Sequence, residues 1–142
     1  MRRAIVVEPD QSIRKLEALI LRQHADISEI VERLTIEEAL PLYAEEHFDF
    51  AMIEVSHPSE TLHDFLHLSR KRQRSPVIAF TTAELSRQTL ELLVEDHVFA
   101  VFPKPFELEE VAKSVRAAVE AANNGKLHPK FYGFLDRLHG RR

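Results

Sequence analysis

The chain is predicted to fold as an α/β domain, with a parallel sheet covered by helices on both faces. Three observations carry that reading. Runs of strand length recur at residues 3–8, 27–34, 50–55, 77–80 and 98–102. Between them lie segments whose apolar residues fall three and four apart, the spacing of a helix with one buried face. Strict alternation of the two favours parallel strands joined by right-handed crossovers. A chain of 142 residues suits one core, and burial of roughly two thirds of the unfolded surface is expected at this size.

The first strand, Ala4-Ile5-Val6-Val7, meets its first acid at Glu8. Asp10 follows as a helix N-cap, its side chain accepting from amides of the first turn, and Ile13, Leu16, Leu19 and Ile20 mark the helix's apolar face. Residues 27–34 mix charge with β-branched groups, as in a strand exposed along one edge. Thr35-Ile36-Glu37-Glu38 fits a capping box: Thr35 bonds the third helical amide, Glu38 reaches back, and the second helix runs to about Glu46.

The third strand, Phe50 to Val55, carries no charge before Glu54 and is closed by the loop-forming His57-Pro58-Ser59. Its apolarity places it centrally. In an open α/β sheet ligands bind beyond the carboxyl ends of such strands, so Glu54 occupies the position where chemistry is expected. Leu62, Phe65, Leu66 and Leu68-Ser69 form a third helical face, ending in the basic run Arg70 to Arg74, whose cations suit a helix C-terminus. Val77 to Phe80 is a fourth strand terminated by Thr81-Thr82, and leucines at 85, 90, 92 and 93 mark a fourth helix over 84–95. Val98 to Phe102 is a fifth strand broken by Lys104-Pro105. Leu108, Val111, Val115, Ala118 and Val119 define a fifth helix, stopped by Asn123-Asn124-Gly125. Pro129 opens a short sixth helix bearing Phe131, Phe134, Leu135 and Leu138, which could pack back, pair with another copy or meet a partner. The division expected is a domain over 1–124 and a tail over 125–142.

Composition excludes several function classes. There is no cysteine, which rules out disulfides, thiolate chemistry and cysteine zinc sites. The longest uncharged run, Ser75 to Ala83, is nine residues, far short of the roughly 20 that span a bilayer; with no leader pattern at the start, a cytoplasmic location and no membrane partner are expected. Residues 126–142 hold five basic groups against Asp136, a net +4, which leaves −8 on residues 1–125 of a chain whose net charge is −4. An acidic body argues against nucleic-acid binding. Only three glycines occur, and no glycine-rich phosphate loop is present. His63 and His67 stand four apart beside Glu60 and Asp64 and could present a metal pair, but solvent-facing histidines are the favoured reading.

One combination of landmarks is specific: Val6-Val7-Glu8 ending strand one, Asp49 to Pro58 around strand three, Pro76 to Thr81 on strand four, and Phe102-Pro103-Lys104-Pro105-Phe106 after strand five. Over about residues 3–122 it resembles the receiver domain of two-component response regulators (CheY-like). The resemblance implies a flavodoxin-like (βα)5 doubly wound sheet of order 2-1-3-4-5. It implies transfer of a phosphoryl group from a kinase histidine to a carboxylate ending strand three, aided by a divalent cation, a hydroxyl and a lysine. By position Glu54 takes the acceptor place, Glu8 the first acid place, Thr81 the hydroxyl place and Lys104 the lysine place. The Lys104–Pro105 bond is expected to be cis.

Departures from the pattern direct the functional expectation. Pro9 stands where the principal metal-binding acid belongs and offers no side-chain donor, so magnesium is doubtful, with Glu8, Asp10 and Glu54 as weak candidate ligands. Asp10 is assigned first to the helix cap. Glu54 is one methylene longer than aspartate, and misplacement of about 1 Å can cost about a hundredfold in rate. Val101 replaces the aromatic of the rotamer switch, and Leu62 and His97 stand where glycine is common. These changes point to a pseudo-receiver: a non-enzymatic, single-domain response regulator working through protein contacts, in which a Glu54–Lys104 ion pair fixes one signalling conformation. Its expected partner is a histidine kinase or downstream effector, with a homodimer also open. The sixteen residues after Lys126 are too few for an effector domain. Alternatives are a phosphorylation- or magnesium-responsive receiver in a phosphorelay, and a flavodoxin-like small-ligand-binding protein.

Overall fold

The computed structural model describes residues 2–55, 59–72, 76–83, 86–94 and 98–123. Among these, strands β1 (Arg3–Val7), β2 (Glu29–Arg33), β3 (Phe50–Glu54), β4 (Val77–Thr82) and β5 (Ala100–Pro103) alternate with helices. The helices are α1 (Gln11–His24), α2 (Ile36–Glu45), α3 (Glu60–Lys71), α4 (Arg87–Val94) and α5 (Leu108–Asn123). The sheet is wholly parallel in the order β2-β1-β3-β4-β5. That is the expected doubly wound topology. The tail over 124–142, with its expected sixth helix, lies outside the described residues, as do His57, Pro58, Leu85 and His97.

The period of two along each strand divides the core into two layers. Ala4, Val6, Phe50, Met52, Val77, Ala79, Ala100 and Phe102 pack with α1 and α5 residues such as Leu21, Val111 and Val115. Ile5, Val7, Ala51, Ile53, Ile78, Phe80 and Val101 pack on the opposite face with α2, α3 and α4 through Tyr43, Phe65, Leu66 and Leu93. Edge strand β2 is half-buried, as its mixed composition requires. In the second layer the Tyr43 and Phe65 ring centroids are 4.4 Å apart. The Ser69 hydroxyl donates to the Phe65 carbonyl at 2.9 Å and takes the Tyr43 phenol as its own donor at 2.6 Å, so both buried hydroxyls are satisfied.

Helices α1 and α2 start at the predicted caps, and α3 starts at a cap not predicted, Ser59. The Ile13 amide donates to Asp10 at 3.0 Å, the Glu38 amide to Thr35 at 3.2 Å and the Leu62 amide to Ser59 at 3.1 Å. Glu38 does reach back, but to the Leu34 amide at 3.1 Å, one residue before the cap. Other expectations need correction. Strand β4 does end at Thr81 and Thr82, but it includes both of them, and both are fully buried. Helix α4 begins at Arg87, and β5 at Ala100, with Val98 and Phe99 buried ahead of it. On α1 the predicted stripe is shifted: Leu16 and Leu19 are 39% and 46% exposed, while Glu17, Ala18, Ile20 and Leu21 face inward. Helical spacing fits both stripes, and contact with α5 and β1 selects the second. Leu108, placed on the buried face of α5, is likewise exposed.

Candidate functional site

Parallel strands in register bring their carboxyl ends to one edge, and there the predicted residues converge. Val7 pairs with Ile53, Glu54 with Thr81, and Thr81 with Phe102, so β1, β3, β4 and β5 end almost level. Counting by two along each strand puts Glu8, Glu54, Thr81 and Lys104 on the α1–α5 side of the sheet. Backbone bonds hold the rim: the Glu8 amide donates to Arg33 at 3.0 Å, Val55 to Thr81 at 2.8 Å and Lys104 to Thr82 at 2.7 Å.

Lys104 is the centre of the charge cluster. Its Nζ lies 2.8 Å from Glu8 Oε1 and 3.9 Å from Glu54 Oε2, with side-chain exposures of 17% for Lys104 and 13% for Glu54. The expected Glu54–Lys104 contact is therefore present at the outer limit of an ion pair, and the tight partner is Glu8. The Lys104–Pro105 peptide bond is cis. Thr81 is buried, and its hydroxyl finds no hydrogen-bond partner among the described residues. Val101 faces the opposite layer and is buried there, and Leu62 is buried inside α3.

The donor set does not fit the divalent cation that the resemblance implies. Pro9 contributes no side-chain oxygen. Glu8 has one oxygen on Lys104 and accepts from the Asp10 amide at 2.9 Å with the other. Asp10 spends its carboxylate on the cap of α1. Among the described residues no three of His, Cys, Asp and Glu are grouped to hold a metal ion. His63 and His67 are both exposed on α3.

Sequence reasoning missed one member of the cluster, Glu17. This carboxylate is 1% exposed, and neither oxygen has a hydrogen-bond partner among the described residues. Burial, reinforced by repulsion from Glu8 and Glu54 against the attraction of Lys104, pushes its carboxyl up to about 8. No signal in the sequence marks it, because helical spacing alone does not choose between the Leu16 and Glu17 stripes of α1. A groove of about 500 Å³ between α2 and α3, floored by Leu40, Pro41, Ala44 and Leu68 and edged by Asp64 and His67, was also missed; it contains none of the predicted site residues.

No protein-family model and no curated protein sequence matches the chain. Solved structures do. A CheY-like response regulator receiver domain protein from Methanospirillum hungatei JF-1 superposes with a TM-score of 0.73 at 17% identity, covering 88% of this chain and 98% of its own. The chemotaxis response regulator CheY4 of Vibrio cholerae gives 0.65 at 24% identity, covering 82% and 98%. The non-phosphorylated HemR receiver domain from Leptospira biflexa gives 0.66 at 25% identity, covering 84% and 94%. With the strand order, the level carboxyl ends and the Glu8–Lys104–Glu54 cluster already described, these neighbours establish that the chain has the fold of CheY-like response-regulator receiver domains.

Proposed function

We propose that this chain is a pseudo-receiver of two-component signalling, a binding module that works through protein contacts without being phosphorylated by the usual route. The observation that carries the reading is the state of Lys104. The ammonium that a phosphoryl group would need is held at 2.8 Å by Glu8, in a pocket where Pro9 replaces the principal metal-binding acid. Phosphoryl transfer relies on positioning and on charge neutralisation by a cation. Here an incoming phosphoryl group would meet Glu8, Glu54 and the buried Glu17 around one lysine. Lys104 serves the pocket's own acids in place of a metal, and the pocket's conformation is set by the Glu8–Lys104 pair. The partner is a histidine kinase or a downstream effector, recognised by the domain surface.

A second reading, a phosphorylatable receiver, has one observation in its favour. The Thr81 hydroxyl is buried without a hydrogen-bond partner among the described residues, on the strand beside Glu54, where it could meet a phosphoryl oxygen. Thermal unfolding with magnesium and beryllofluoride, a phosphoryl mimic, separates the two. Ligand at about a hundred times its Kd stabilises by about 2.7 kcal/mol, several degrees in Tm. The pseudo-receiver predicts no shift, and a magnesium-dependent rise of that size would favour the phosphorylatable reading.

A further inference from the structure

Among the described residues Glu17 is a third carboxylate within electrostatic reach of the Lys104 ammonium. An ionised carboxylate that is 1% exposed and has no hydrogen bond among the described residues is strongly disfavoured, and such a group retains its proton. Every element packed around it bears on the balance. From β1 and β3, Glu8 and Glu54 oppose a negative charge on Glu17, and Lys104, from the β5–α5 connection, favours it. That ammonium is already shared, at 2.8 Å from Glu8 and 3.9 Å from Glu54. Arg14 of α1 reaches both Glu32 of β2 at 3.0 Å and the Glu8 carbonyl at 2.8 Å, and Lys15 pairs with Glu32 at 3.1 Å. The Arg33 guanidinium of β2 donates to the Glu32 carbonyl, and β4 offers the neutral Thr81 hydroxyl. Helix α5 supplies apolar Val111, Ala112, Val115 and Ala118 to this layer, while its Arg116 is engaged with His24 and Glu109.

We propose that Glu8, Glu17, Glu54 and Lys104 form a proton-operated latch on α1: the helix is closed against β1 and α5 while Glu17 carries its proton, and loosens when the proton passes to solvent. The step breaks one O–H bond, sends the proton to solvent and leaves a further negative charge in the buried cluster. With the carboxyl pushed up to about 8, the change falls in the mildly alkaline range. The folded-state value lies above the ordinary carboxylate value of 4.5, so the folded protein binds more protons than the unfolded chain between the two. The stabilising effect is full below about 4.5, is lost as pH rises towards about 8, and stays lost above it.

The test compares wild type with Glu17→Gln, which keeps the shape of the neutral acid, in chemical unfolding between about pH 5 and pH 9.5, the window set by one carboxyl with a raised folded-state value. The ratio of the two unfolding constants cancels the contributions of histidines and other acids common to both proteins. It is expected to rise by close to tenfold per pH unit up to about pH 8, in favour of the variant, and then to flatten. Glu17→Leu serves the same comparison where Gln fails to fold. In carbon NMR of glutamate-labelled protein, a carboxyl signal absent from the variant is expected to titrate near pH 8. Amides of α1 are expected to exchange faster in wild type than in Glu17→Gln above that pH. A pH-independent ratio, a Glu17 signal in the ordinary carboxylate range, or equal α1 exchange in both proteins would overturn the latch. No phosphodonor enters the experiment, so its outcome stands apart from the reading of Glu54.

Discussion

At the scale of single residues, the division of labour between Asp10 and Glu8 governs the site. Asp10 caps α1 through the Ile13 amide at 3.0 Å, and its own amide donates to Glu8 at 2.9 Å. A carboxylate committed to a helix cap is a poor replacement for the acid missing at Pro9. Asp10→Ala is expected to lower stability by about 1 kcal/mol in denaturant titration, the ordinary worth of an N-cap. Such caps were legible in the sequence because they are local: Asp10 precedes the apolar helix directly, and Thr35 stands three residues before Glu38. Glu17 was not legible, because its burial depends on which of two helical stripes meets α5 and β1, and it is the only acid in the inward set Glu17, Ala18, Ile20 and Leu21. Position in sequence could suggest a Glu54–Lys104 pair, but it could not show that Glu8, arriving from another strand, stands closer to the lysine.

At the scale of elements, the central strands and α3 hold the frame on which the site depends. Phe65 of α3 packs against Tyr43 of α2 at 4.4 Å and against Phe80 of β4 at 6.2 Å between ring centroids, which ties the α2–α3 layer to the strand carrying Thr81. Phe65→Ala is expected to cost about 3–5 kcal/mol in equilibrium unfolding, because a fully buried ring is removed and the rigid surroundings cannot fill the space. The strands and helices themselves were readable, since β3 is apolar up to its last residue, Glu54, and α3 repeats its apolar residues at helical spacing. Their ends were less so. Thr81 and Thr82 resemble a strand stop by composition, yet pairing with Phe102 and Pro103 of β5 extends the strand through both. Neighbour pairing, absent from any single segment, decides where a strand ends.

At the scale of the whole molecule, topology assembles the site: the order β2-β1-β3-β4-β5 sets the carboxyl ends of β1, β3, β4 and β5 side by side, and residues 8, 54, 81 and 104 become neighbours. That convergence was foreseeable from alternating strands and helices together with the receiver-like landmarks. The charge inventory was not, because the third carboxylate comes from a helix and not from a strand end. On the proposed account, the fold keeps the layout of a phosphoryl-transfer pocket while Lys104 takes up the role of counter-ion to the pocket's own acids. The most direct test is the intact mass of the full chain after incubation with magnesium and acetyl phosphate. The account predicts an unchanged mass at Glu54, whatever the magnesium concentration. A magnesium-dependent phosphoryl adduct on Glu54 would contradict it and would show that the site binds its metal despite Pro9.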